Sequence, residues 1–183
     1  MKHFYQVLIN TLIANVTTSF LWFALSFWVY IETRSVLATA IIGGSYMLLV
    51  AIFSIVFGTI VDHHKKKSVM VFSSIVTFIT FLIAGLVYIL FPTADILNMG
   101  GPLFWIFSGI ILIGGVVENM RNIALSTTVT LLVDEDKRAN ANGLVGTVQG
   151  IGFIVTSVFS GLSIGLLGMG WTLAISVGLT AVA

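Results

Sequence analysis

Glu118 and Arg121 lie three positions apart inside a long apolar stretch, so a helix there carries both on one face. Ionisable side chains in such a setting commonly face a cavity or a partner. A carboxyl placed there can carry a proton, with the neighbouring guanidinium setting how readily it does so. The alternative is a static ion pair near a membrane interface, with Arg121 reaching out to lipid headgroups. Asn15 and Ser19, four residues apart in the first apolar run, are suited to lining a polar cavity, with Gln149 facing them from a later run. Phe23 is placed to touch a bulky apolar substrate, although lipid contact is the default for such a residue. Trp28 and Tyr30, further along that run, suit an interfacial aromatic belt.

Other chemistries find no residues. The chain has no cysteine, which excludes disulfides, thiolate metal sites and cysteine nucleophiles. Its three histidines, His3, His63 and His64, fall in segments too polar to lie deep in a span. No serine has a histidine on another span to activate it, and no pair of aspartates lies within the apolar runs. The expectation is therefore a protein that is not an enzyme, with no metal and no cofactor.

What must position these residues is a membrane-embedded bundle. Of 183 residues, 58% are hydrophobic and only 8% charged, with mean hydropathy +1.12. A water-soluble domain needs about a quarter of its residues charged to wet its surface, so lipid is the expected solvent here. The net charge of +1 supplies no basic field to hold phosphates, and no nucleic-acid partner is expected.

Spanning the hydrocarbon core takes roughly 20 apolar residues in a helix. Runs at 7–31, 36–61, 68–91, 103–123 and 143–167 meet that length, and a sixth begins at 170–183. The fourth is expected to continue towards residue 133. Strands are excluded, because an open sheet in lipid leaves backbone groups unsatisfied. The first run is too long for a signal-peptide core of about 7–15 residues and reads as a retained helix. The last run, 170–183, amounts to about 21 Å of helix, short of a core of about 30 Å, so the sixth helix is expected to be incomplete. With the N-terminus inside, the cytoplasmic segments hold Lys2, Lys65, Lys66, Lys67, Lys137 and Arg138, while the external loops hold only Arg34. That bias sets the expected orientation.

Two small-residue patterns stand out. On the fifth run, Gly146-x-x-x-Gly150 and Ser157-x-x-x-Gly161-x-x-x-Gly165 would let a neighbouring helix approach backbone to backbone. At the end of the second run, Gly58 leaves space for a helix, and Asp62 at the membrane edge suits the positive N-terminus of a neighbour. His63, His64, Lys65, Lys66 and Lys67 follow, and the lysines hold the connection in the cytoplasm against anionic headgroups.

The segment from Gly58 to Lys67 resembles the loop between helices two and three of the major facilitator superfamily, Gly-x-x-x-Asp-(Arg/Lys)-x-Gly-(Arg/Lys)-(Arg/Lys). Gly58, Asp62, Lys66 and Lys67 occupy matching positions; His63 stands where a basic residue is usual, and Lys65 replaces the second glycine. The stretch from Leu131 to Leu144, with Asp134-Glu135-Asp136-Lys137-Arg138, is similar to macrolide-efflux-like members, which are bacterial drug or siderophore exporters. Those resemblances imply an all-α integral membrane protein: the N-terminal six-helix bundle of a major facilitator fold, its C-terminal six-helix half missing. They imply a bacterial inner-membrane location, a cytoplasmic gating role for Gly58, Asp62, His63, Lys66 and Lys67, and proton-coupled efflux of amphipathic, drug-like small molecules. No cofactor is implied beyond the proton gradient, and the partners are substrate, lipid bilayer and the second half. The chain departs from many drug–proton antiporters in lacking a proline near Thr156-Ser157 and an acid within the first helix before Glu32. The alternative function is a half-length interaction module that dimerises without transporting.

Overall fold

A computed structural model describes residues 2–133 and 135–182, without the side chains of residues 2–5, 7, 10, 11, 14, 15, 18, 129–132, 135 and 182. Long helices make up almost all of it: α1 (Lys2–Thr33), α2 (Val36–His63), α3 (Lys66–Leu90), α5 (Pro102–Leu132) and α6 (Arg138–Val182). A single-turn helix, α4 (Thr93–Ile96), lies between α3 and α5, and a 3-10 turn, Glu135–Lys137, precedes α6. No strand occurs among the described residues. Among the described residues four stretches are long and apolar enough to cross a membrane: Val36–His63, Lys66–Leu90, Pro102–Thr128 and Arg138–Ala181.

Local chemistry sets the boundaries. Arg34 closes α1 in the left-handed region, φ 53°, and its N–H reaches the Tyr30 carbonyl at 2.9 Å. Ser35 then caps α2, its hydroxyl accepting from the Ala38 N–H at 3.2 Å. Pro102 opens α5 at a position where its missing N–H costs nothing. Lys66 Nζ donates to the Val61 carbonyl at 2.5 Å, closing the exposed end of α2. Within the helices, hydroxyls bond back one turn, as in Thr156 to Gly152 at 2.6 Å and Thr180 to Ser176 at 2.8 Å. In lipid this satisfies groups that water cannot reach.

Two expected connections are more helical than the sequence reading supposed. Residues 92–102 include α4, whose Ile96 is fully buried. The fifth helix starts at Arg138 rather than 143, because Ala139 and Ala141 favour helix and Ala141 and Val145 pack on Leu8 and Val133. As a straight rod α6 would measure about 67 Å, twice the hydrocarbon core. It is broken at Gly168, φ 77° and ψ 177°, and Ser163 and Thr172 meet hydroxyl to hydroxyl at 2.8 Å across the break. That backbone region is close to glycine-only. No neighbour lies within 4 Å of the place a Cβ would take, so only backbone strain opposes a side chain there. Gly168→Ala is expected to cost about 1–3 kcal/mol, read as a lower midpoint of thermal unfolding in detergent; an unchanged midpoint would mean the break does not depend on glycine.

α5 is the hub, packing against α1, α2, α3 and α6. The apolar core gathers towards the Arg34 end, where Leu25 and Val29 of α1, Phe81 of α3, Ile96, and Phe104, Phe107 and Ile111 of α5 are all fully buried. Trp28 belongs to this core rather than to an interfacial belt. It is 3% exposed, with ring centroids 5.7 Å from Phe107 and 6.1 Å from Tyr88. Tyr30, two positions on, points outward. Leu48, Ile52, Ile55, Ile79, Ile89 and Leu166 are exposed, as suits contact with lipid tails.

Candidate functional site

Glycine decides how closely helices approach α5. A Cβ at Gly114 would collide with Thr80 Oγ1 and come within 2.6 Å of Phe81 Cε1. One at Gly115 would stand 3.2 Å from the Tyr46 ring. The Gly114-Gly115 pair thus draws α3 and α2 onto α5, and Thr77 Oγ1 donates to the Gly114 carbonyl at 3.0 Å. One turn further along α5 comes Glu118. It is 1% exposed, and Arg121 is 2% exposed.

The pair is therefore buried between helices, and Arg121 does not reach out to headgroups. Its Nη1 lies 3.5 Å from Glu118 Oε1 and 3.1 Å from Ser74 Oγ on α3. A tight charge-assisted bond runs at about 2.7–2.9 Å, so the guanidinium is shared between the acid and the serine rather than locked onto either. Glu118 Oε2 has no hydrogen-bond partner, nor has Asn122 Oδ1 one turn on. Ser73, fully buried, and Thr77 complete a strip of hydroxyls on the face of α3 towards α5. Arg121 also borders a cavity of about 620 Å³ between α3 and the end of α6, walled by Lys67, Ser74 and Thr180 among apolar side chains. A carboxyl so placed, with one open acceptor oxygen and an adjacent cation, has the parts to bind and release a proton.

The other singled-out residues lie apart from this pair. Gly58 is half-buried, and no described residue lies within 4 Å of the place a Cβ would take. Asp62, His63 and Lys67 are exposed at the joint between α2 and α3. His63 Nδ1–H donates to the Thr59 carbonyl at 2.8 Å. Lys66 is occupied in capping α2. Ser19 and Phe23 on α1 and Gln149 on α6 are half-buried, on two helices that pack together. The side chain of Asn15 lies outside the described residues.

Within this chain the glycine pattern on α6 makes little contact among the described residues. Gly146, Gly150 and Gly165 are exposed and, among the described residues, have nothing within 4 Å of a built Cβ. Gly161 alone of the four meets a side chain, Phe27 at 3.7 Å. Among the described residues close approaches occur at Gly114, Gly115 and Gly170, the last against Tyr88 at 3.2 Å. Tyr46, Ser74 and Thr77 escaped the sequence reading. Their signal was present: a Ser73-Ser74, Thr77, Thr80 series at helical spacing in an apolar run, opposite a Gly-Gly pair four residues before an acid.

Among the described residues no cluster of three histidine, aspartate or glutamate side chains gathers to hold a metal. The chain matches the family model of the Major Facilitator Superfamily over residues 7–183. It belongs to that superfamily. No curated protein and no solved structure shows a significant match. Membership of the major facilitator superfamily, a family of transporters, fits the long apolar helices and makes this chain a multi-pass membrane transporter protein. Within it, the conspicuous buried charge is not at the Gly58–Lys67 segment but on α5.

Proposed function

We propose that the chain forms the N-terminal six-span half of a proton-coupled exporter of amphipathic small molecules. In this reading α6 contributes two spans, before and after Gly168. The N-terminus is cytoplasmic in a bacterial cell membrane, as the lysine and arginine bias suggests. The observation that carries the coupling is the buried Glu118–Arg121 pair, held at 3.5 Å with one carboxyl oxygen open. An acid in such a place is expensive to keep unless it is used. The uncovered glycine face of α6 and the open side of Gly58 on α2 suit a second six-helix half, and Asp62, His63 and Lys67 are placed to close against it. Substrate then binds near the bilayer midplane between the halves, with Asn15, Ser19, Phe23 and Gln149 on this side. Rocking of one half against the other gives alternating access.

The test is transport in proteoliposomes holding the intact protein and an amphipathic fluorescent dye. Dye movement should require an imposed proton gradient and stop when a protonophore collapses it. Movement that persists without the gradient rejects proton coupling. No movement, together with a stable crosslinked dimer, favours an interaction module that does not transport.

A further inference from the structure

We propose that the aromatic stack Tyr46–Trp22–Phe23, ending on Phe153, couples the protonation of Glu118 to the exposed face shared by α1 and α6, with Tyr46 as the positioning residue. The proposal rests on the reading of Glu118 as the proton site. The geometry runs across three helices. Tyr46 of α2 lies over Gly115, one helical turn from Glu118 on the same face of α5. Its ring stacks on Trp22 of α1 at 4.5 Å and 17°. Trp22 stacks in turn on Phe23 at 4.3 Å and 20°, and Phe23 meets the edge of Phe153 on α6 at 4.9 Å and 71°. The Tyr46 and Trp22 end is buried; Phe153 is 49% exposed.

The chemistry at the buried end supplies the signal. Ionised, Glu118 only accepts hydrogen bonds, and its Oε2 is open; protonated, it becomes a donor as well. A phenol drawn towards or released from the carboxyl as its charge changes must shift its ring, and a ring packed face to face cannot shift without moving its neighbour. Few other groups compete for the carboxyl. α5 brings Arg121, and α3 brings the hydroxyls of Ser73, Ser74 and Thr77, its Lys67 standing across the cavity that Arg121 borders. α1 has ionisable residues only at Lys2, His3, Tyr5, Tyr30 and Glu32, and α6 only at Arg138, all towards helix ends. A ligand lying on Phe23 and Phe153 and a proton on Glu118 would thus bias each other, and by equal factors.

The experiment uses the intact protein with Trp28, Trp105 and Trp171 replaced by Phe, leaving Trp22 as the fluorophore. Infrared spectroscopy follows the protonated carboxyl of Glu118 while Trp22 emission is recorded across neutral pH. Both signals should titrate together. Glu118→Gln should lose both, whereas Tyr46→Phe should lose the emission change and keep the carboxyl titration. A carboxyl that titrates while Trp22 emission stays flat overturns the coupling, as does a full emission response in Tyr46→Phe. A carboxyl that never titrates removes the proton-site reading itself and the coupling with it. Should replacing the core residue Trp28 unfold the protein, fluorotryptophan NMR of the parent sequence reads the same response, with the Trp22 resonance assigned by Trp22→Phe.

Discussion

Glu118→Gln should insert into the membrane at the parent level and carry out no proton-driven efflux. Glutamine keeps the size and the acceptor oxygen of the acid but cannot exchange a proton, so the change removes the chemistry and little of the packing. The cost left behind falls on Arg121, whose counter-charge is gone. That cost is moderated, because Arg121 already shares its guanidinium with Ser74 at 3.1 Å and borders a cavity of about 620 Å³. A stability loss of about 1–2 kcal/mol follows for a charge-assisted hydrogen bond of this length, too little to prevent insertion. The measurement is dye efflux set against the amount of protein in the membrane fraction. Efflux at the parent rate from an equal amount of Glu118→Gln would take the acid out of the mechanism.

Why that acid was legible in the sequence, and Trp28 was not, comes from the solvent. In water a helix advertises its buried face, since the other side must be polar. In lipid both faces are apolar, and leucine in the core resembles leucine against an acyl chain. Long apolar helices were therefore readable from length alone, while their rotation was not. Trp28 could equally have been a belt residue or a core residue; the turn of α1 towards Tyr88 and Phe107 decided it. Glycine was ambiguous for the same reason. Gly146 and Gly150 have the spacing of a packing stripe yet face open space, whereas Gly114 and Gly115 make the closest approaches of α5. Only residues that lipid penalises carry direction. Glu118 and Arg121 had to turn inward, and the serines and threonines of α3 show which side of that helix meets them. The joint at Gly58–Lys67 showed itself by its pattern.

Arg121→Met should be the most damaging single change to stability at this site. It removes five N–H donors from beneath α3 and leaves Glu118, 1% exposed, without its cation. Breaking one side of a buried ion pair typically costs about 3–5 kcal/mol where the remaining charge stays uncompensated, and uptake of a proton by Glu118 relieves part of that cost. Removing both charges is another matter: well-packed apolar side chains of similar volume often match or exceed a buried pair in stability. The double variant Glu118→Leu with Arg121→Met is therefore expected to recover most of the loss. Thermal unfolding in detergent of the parent, the two single variants and the double variant measures the coupling directly. A double variant less stable than Arg121→Met would mean that the two residues contribute through separate contacts, Arg121 through Ser74 and Glu118 through α2, rather than through each other. Recovery in the double variant would show instead that the fold does not require the pair, since methionine and leucine would serve it as well.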